Sequence, residues 1–378
     1  MANDKNFVIK NGLQAGRYLQ TGGTETVGSE GWSLGAASYD GVSFSVAAQE
    51  TGPRNISFKP DGTKMYVLGI VGDDVNEYDL STAWDISTAS YNQNFSVAAQ
   101  ETGPFGLFFK PDGTKMYICG NLGDDVNEYD LSTAWDISTA SFLQLFSVST
   151  QDSTPTGLFF KSDGTKMYVA GDAGNDINEY DLSTAWDIST ASYLQNFSVA
   201  SQETLLGGLS FKDDGTKMYV VGYDNGNVNE YNLSTAWDIS TASFSQSFYI
   251  GGQQAVAIGL FFKPDGTQMF ISGQTPTSIF SYSTISYTQT LDLSTGTYFS
   301  FTPSGSTTVS FTNAPASGKA VGFAVEVNGD GSAITWPTSV KWSGGVAPVA
   351  SASKELYALV TTDGGTTYYG RKAAEELA

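Results

Sequence analysis

The chain has 378 residues, 13% of them aromatic and only 15% charged, with 42 glycines. Its 18 Lys and Arg face 39 Asp and Glu, a formal charge of −21, so a nucleic-acid backbone or an anionic membrane would be repelled. Histidine is absent, which excludes Ser-His-Asp and Cys-His catalysis and every His-ligated metal site.

What remains is the profile of many short strands joined by tight turns, in two or three domains. The acidity reads as solubility rather than as a cation-binding function. With one cysteine, Cys119, no internal disulfide forms. That residue stands where sister repeats carry Leu68, Ala170 and Val221, so it is expected to be a small buried hydrophobe.

Residues 1–30 are rich in Gly and Thr, with one apolar run from Phe7 to Ile9, and read as an extended arm or attachment segment. The first residues lack the basic-then-apolar layout of a signal peptide. No apolar run approaches the roughly 20 residues of a membrane helix, so no membrane insertion is expected. Synthesis in a cytoplasm, without an export route of its own, is the expectation.

Residues 31–285 are organised by a repeat. Asp-Gly-Thr-Lys-Met-Tyr begins at Asp61, Asp112, Asp163 and Asp214, and a worn copy, Asp-Gly-Thr-Gln-Met-Phe, at Asp265, always 51 residues apart. Such a period, with several short strands in each copy, is the signature of a propeller or β-array. In the first copy strands are expected at 55–58, 65–68, 75–80 and 90–97, the first two joined by the turn Pro60-Asp61-Gly62. After Ser283 the fifth copy lacks the segment Leu-Ser-Thr-Ala-Trp-Asp-Ile-Ser-Thr, whereas residues 32–39 match 84–91. The piece missing at one end is present at the other. The chain is therefore predicted to be an all-β, five-bladed propeller of four-stranded blades, with an N-terminal strand closing the last blade. Trp32, Trp84, Trp135, Trp186 and Trp237 are expected to anchor blade to blade.

Lys64, Lys115, Lys166 and Lys217 become Gln268 in the fifth copy, while Glu77, Glu128, Glu179 and Glu230 become Ser281. Asp79, Asp130, Asp181 and Asn232 become Ser283. Loss as a unit predicts a cross-strand ion pair in each blade, with Lys64 opposite Asp79 and diagonal to Glu77. Placed at a surface, such a pair contributes about 0–1 kcal/mol.

Residues 286–378 change pattern, with alternation such as Gly-Phe-Ala-Val-Glu-Val from Gly322, and predict a small antiparallel β-sandwich. The end, 372–377, reads as a helical turn or a frayed tail.

Glycoside hydrolysis needs two carboxylates placed asymmetrically about the axis. Most acids here are the repeated ones, and the unique acids Asp152, Asp172, Asp213 and Asp224 fall in loops, so no catalytic residue is assigned and no enzyme is expected. The run Gly-Asp-Asp-Val-Asn-Glu-Tyr-Asp from Gly72 lacks the layout of an EF-hand loop and reads as a solvated strand edge; no metal and no cofactor is assigned. Trp84-Asp85 resembles the WD dipeptide, but no Gly-His precedes it and the period exceeds about 40–45 residues.

Binding is the better expectation, and the copies disagree at two places that suit it. One is the start of the inner strand: Arg54, Phe105, Thr156, Gly207 and Ile258. The other is the loop between the second and third strands, with Ile70, Val71, Asn121, Leu122, Asp172, Ala173, Tyr223, Asp224, Gln274 and Thr275. Candidate binding positions are Arg54, Phe105, Thr156, Ile258, Asn121, Asp172, Tyr223 and Asp224, with neutral drift of exposed loops as the alternative.

The two ends resemble known proteins. Asn-Phe-Val-Ile-Lys-Asn-Gly-Leu from Asn6 resembles an opening of structural and fibre proteins of tailed phages, marine ones especially. Ile-Thr-Trp-Pro-Thr-Ser-Val-Lys-Trp-Ser-Gly-Gly from Ile334, with Thr-Asp-Gly-Gly-Thr-Thr-Tyr-Tyr from Thr362, resembles a domain of phage tail-fibre and head-fibre proteins. The central repeats are similar to propeller repeats of viral and bacterial surface proteins. The resemblance implies a virion appendage, fibre or decoration, assembled in the host cytoplasm, exposed on the particle and expected to be a homo-oligomer. Its partners would be other virion proteins through the N-terminal arm and a host-surface glycan or protein. A purely architectural subunit and a glycan depolymerase are the alternatives.

Overall fold

Each 51-residue copy forms four antiparallel strands because its turn chemistry leaves the chain no other course. In the first blade the strands are Pro53–Phe58, Lys64–Gly69, Asp74–Leu80 and Ala89–Ser96, in that order from the axis outward. Gly62 takes φ +74° in the first turn, and Asp61 Oδ1 accepts from the Thr63 amide at 3.0 Å and its hydroxyl at 2.6 Å. Before the outer strand, Asp85 caps the short 3-10 segment Ile86–Thr88 by accepting from the Ser87 amide. The computed structural model describes residues 19–21, 24–27 and 31–374, except 304, 330–332 and 350, with side chains from residue 31 onward.

Four more sheets repeat this plan. The fifth joins Ala257–Phe262, Gln268–Gln274 and Thr277–Ser283 to the N-terminal strand Ser38–Ser45, the closure expected from the sequence. The protein is thus a five-bladed β-propeller followed by a β-sandwich. Its chain divides into two compact units, one holding Trp32–Gly35 with Gly41–Thr284, the other the residues from Ile285 with Ala36–Asp40 and the described N-terminal strands.

The propeller core lies between blades. One apolar cluster combines Tyr66, Leu68 and Val75 of the first blade with Leu107, Phe109 and Ile118 of the second, all buried. At each of these seams sits a tryptophan in the left-handed region, Trp84 at φ +67° and Trp135 at +64°. For a bulky residue that conformation costs about 1–2 kcal/mol. It is held by packing: a Cβ on Gly113 would stand 2.3 Å from the Trp135 ring, so only glycine admits the indole. Tyr66 of the preceding blade donates its hydroxyl to the Trp135 carbonyl at 2.7 Å. Inter-blade anchoring, expected of these residues, is what they do.

The Lys–acid group keeps its predicted register, Lys64 opposite Asp79 with Glu77 opposite Tyr66, but its place is corrected. Lys64 Nζ contacts Glu77 and lies 2.8 Å from Asp79 Oδ1, yet Glu77 is wholly buried. The third strand is therefore no solvated edge: Asp74, Asn76 and Glu77 are all buried, because neighbouring blades cover the sheet on both sides. Glu77 also accepts from Gln93 Nε2, which donates onward to Asp136 of the next blade at 3.0 Å. In the second and third blades the equivalent glutamates, Glu128 and Glu179, also accept from the Ile188 and Ile239 amides of the following blade. What reads as a surface pair is a buried inter-blade network. A second buried acid escaped the sequence reading altogether. Glu50 and Glu101 clamp the segment before the inner strand to the loop after the second, Glu101 accepting from the Gly103 and Gly123 amides. Cys119 is fully buried, as expected, and burial pushes its thiol up to about 12.

The C-terminal unit packs two sheets over one core that includes Phe299, Val309, Phe323, Trp336 and Tyr357. Its pairing is mixed, not purely antiparallel. Ser286–Asp292 and Ser306–Thr312 are parallel neighbours in one sheet, while Tyr298–Phe301 between them in sequence lies in the other beside the parallel Val321–Asn328. Successive strands cross between sheets, and two crossings restore the original direction, so the hairpin rule misleads here. Two stretches of the expected 1–30 arm, Leu19–Thr21 and Thr24–Val27, are strands in these sheets; residues 1–18, with the phage-like opening, lie outside the described residues. Of the end at 372–377, expected to be a helical turn or a frayed tail, residues 372–374 belong to the strand Tyr368–Ala374, from which Lys372 reaches Glu355 at 2.7 Å, and 375–377 lie outside the described residues.

Removing one partner of a buried ionic network strands the other, at about 3–5 kcal/mol. Denaturant unfolding of Glu179→Ala is expected to show a loss in that range, and Asp181→Ala, whose carboxylate is half exposed, a loss within about 1 kcal/mol. Equal losses would return the group to the surface. The turn acids set an acid limit. Burial pulls Asp61, Asp112, Asp163 and Asp214 upward, but hydrogen bonds from the paired lysine and the following threonine outweigh it and hold them at about 2. Their folded pKa lies below the unfolded one, so their stabilisation is present above about pH 4 and is lost toward pH 2. Burial raises Asp74, Asp125 and Asp176 instead, so acidification from neutrality first relieves a destabilising charge. A melting temperature that holds or rises on mild acidification and falls only below about pH 4 is the expected profile.

Candidate functional site

Five inner strands stand side by side about the axis, and their backbones approach closely. A Cβ on Gly259 would lie 2.7 Å from the Arg54 carbonyl oxygen, and one on Gly208 2.8 Å from that of Ile258. On either side of this constriction the inner strands present rings of five residues, one from each blade.

Where the strands begin, the ring is Arg54, Phe105, Thr156, Gly207 and Ile258, and it closes the axis. Phe105 is 8% exposed, Thr156 2% and Ile258 1%, so these three candidate contacts are corrected to packing positions. The Arg54 guanidinium carbon lies 4.6 Å from the Phe105 ring centroid. At Gly207 a Cβ would meet the Ile258 carbonyl oxygen at 2.5 Å. Four unlike side chains and a glycine fill one narrow axis, so their variation reflects an asymmetric plug.

The loops at that face hold the remaining candidates. Asp172 is half-buried and accepts from the Leu206 amide at 2.8 Å, tying the third blade to the fourth; burial raises its pKa. Tyr223 is half-buried, and burial pushes its hydroxyl up to about 12, with Arg54 opposing and Asp172 adding to the shift. Arg54, Asp172 and Tyr223 thus come within electrostatic reach of one another. Asp224 is exposed and accepts from the Thr204 hydroxyl at 2.7 Å, and Asn121 is half-buried in the second blade's loop. Large apolar side chains are exposed in the loops at this face, Val71 at 67% and Leu122 at 70%.

Where the strands end, the axis opens into a cavity of about 390 Å³. Its innermost ring is Ile56, Leu107, Leu158, Leu209 and Leu260. Ser57, Phe108, Phe159, Ser210 and Phe261 follow, and Pro60, Pro111, Ser162, Asp213 and Pro264 lie nearest the turns. Ser57 and Ser210 leave two gaps in what would be a ring of phenylalanines. Asp213 supplies the one carboxylate among the described lining residues; burial, then the adjacent Asp214, raises its pKa. Among the described residues no group of three or more potential metal ligands converges. The cavity can seat a compact apolar group beside a lone carboxylate, and it holds no acid/base pair.

This site lies at the opposite end of the axis from the candidate residues. The signal that finds it is the same disagreement between copies, followed along the whole inner strand rather than only at its start. Phenylalanine at the two serine positions is what the other blades carry, so Ser210→Phe is expected to fold normally and to close one gap. Ligand-observed NMR with toluene should report binding to the native chain and its loss in Ser210→Phe. Unchanged binding would place the probe elsewhere.

No sequence-family profile matches the chain, and no curated protein matches it. Among solved structures it is similar to a Lactobacillus plantarum protein at 12% identity, covering 61% of this chain and 67% of that one, with a TM-score of 0.40. Kuenenia stuttgartiensis hydrazine synthase gives 17% identity, 60% and 56% coverage and a TM-score of 0.39. The Myceliophteria thermophila Cps50 (Swd1) beta-propeller domain gives 12%, 60% and 68%, and 0.37. Likenesses of this degree assign neither a family nor an activity.

Proposed function

We propose that the chain is a non-enzymatic binding protein of a tailed-phage virion, a fibre or decoration subunit that contacts a host-surface glycan or protein. The observation that carries the binding part is the axial cavity, concave, mostly apolar and furnished with a single carboxylate. Hydrolysis of a glycosidic bond asks for two carboxylates flanking it. The repeated acids are engaged in the scaffold: Asp61 with Thr63, Asp85 with Ser87, Glu101 with two amides, Glu128 with Lys115 and Gln144. The virion part rests on the phage-like motifs at the two ends. The motif from Ile334 supplies Trp336 and Val340 to the sandwich core, and Asp363 of the motif from Thr362 accepts from the Thr367 amide at 2.9 Å. In this reading the N-terminal arm joins other virion proteins, the subunit is homo-oligomeric, and the propeller is displayed on the particle.

Mass spectrometry of purified particles is expected to find the chain, and its absence would end the virion reading. Full-length protein added to host cells is expected to bind them and to slow adsorption of the particle. Unimpeded adsorption, with no cell binding, would favour a purely architectural subunit. Release of reducing ends from host polysaccharide would favour the depolymerase.

A further inference from the structure

We infer that the outward face of the six-stranded sheet in the C-terminal unit is a binding site for a carboxylated sugar, of the uronate or sialate type. The inference rests on no part of the virion reading. Three strands at one edge of that sheet, Val340–Trp342, Tyr368–Ala374 and Lys354–Thr361, bound a shallow groove of about 550 Å³. Their register puts Lys341 opposite Tyr369 and Tyr369 opposite Val360, while Arg371 stands opposite Ala358. Residues two apart on a strand share a face, so Lys341, Tyr369 and Arg371 project together.

Two features separate this groove from an ordinary charged surface. The first is its cations. Eleven lysines carry ion pairs among the described residues. Arg54, Lys319, Lys341 and Arg371 carry none there, and two of these four line the groove. Lys341 and Arg371 are diagonal neighbours on one face of this parallel strand pair, and their like charges repel. In a chain of net charge −21, two adjacent cations with no carboxylate partner among the described residues leave room for an anion from outside. Among the described residues Lys341 Nζ hydrogen-bonds the Thr338 carbonyl alone, at 3.4 Å.

The second feature is the platform. Tyr369 is 60% exposed beside Val360, and Ala358 keeps the floor low under Arg371. A phenol face takes the C–H face of a sugar ring, while a guanidinium takes a carboxylate through two parallel hydrogen bonds. A neutral glycan would leave both cations unmatched, and the overall charge turns away a polyphosphate chain.

The test is calorimetric titration of the full-length chain with trigalacturonate, the neutral maltotriose and a sulfated trisaccharide, with melting temperature as the check on folding. Trigalacturonate is expected to bind, maltotriose not to bind, and the sulfated sugar to bind more weakly. Arg371→Gln and Tyr369→Ala should each weaken trigalacturonate by about tenfold or more, and Arg371→Lys, which keeps charge but loses the fork, by less. Ser210→Phe, in the propeller, should leave this binding unchanged. Absence of trigalacturonate binding, native affinity in Arg371→Gln, or equal affinity for the sulfated sugar would overturn the assignment. Because the readout needs neither host nor particle, its failure is distinguishable from failure of the virion reading.

Discussion

The seat of a tryptophan on a turn glycine is the interaction on which the propeller depends. A blade is a twisted four-stranded sheet whose two faces are both apolar, and it buries them only against neighbours. Trp135 is seated within its own blade, its ring on Gly113 and 5.4 Å from Phe109, and it fixes that contact through Tyr66 of the preceding blade, whose ring lies 6.2 Å away and whose hydroxyl its carbonyl receives. The glutamate network then ties the outer halves of the same two blades, from Lys64 through Glu77 and Gln93 to Asp136. A strained backbone persists at each of the five propeller tryptophans because so much surrounding structure determines it.

The seams are not equal. Between the fifth blade and the first, Phe270 stands where the others have a tyrosine, Val42 where they have glutamine, and Ser281 where they have glutamate. Trp84 still stacks on Phe270 at 6.3 Å, and Ser272 Oγ reaches the Arg54 carbonyl at 3.3 Å. Ring closure is therefore carried by apolar packing and by the shared N-terminal strand, with less of the polar lacing that binds the other blades.

Much of this was legible because repetition turns one sequence into five observations. The register of Lys64 against Asp79 and the closing strand Ser38–Ser45 both follow from what is lost together at one end of the chain. Burial was less legible. Asn76 and Glu77 look solvent-facing in a polar strand, and only the blade on either side buries them. Residues at the start of the inner strand vary as binding residues do, yet Phe105 and Ile258 vary because an axis packs as one object. In the C-terminal unit, no single strand reveals that its sequence neighbour lies in the opposite sheet. Tyr369 and Arg371 are ordinary alternating residues until the register sets Lys341 beside them.

The strand that closes the ring comes from the other end of the chain, so the fifth blade alone is split between distant segments, while each of the other four is one continuous stretch. A stretch of 51 residues begun at Pro53 holds one whole blade, and a gene rearrangement that gains or loses one such stretch leaves every blade complete. Near-identical copies invite that recombination. The N-terminal strand would still complete whichever blade comes last, so selection on blade number acts through the angle at which tryptophan seams meet, and not through damage at a junction.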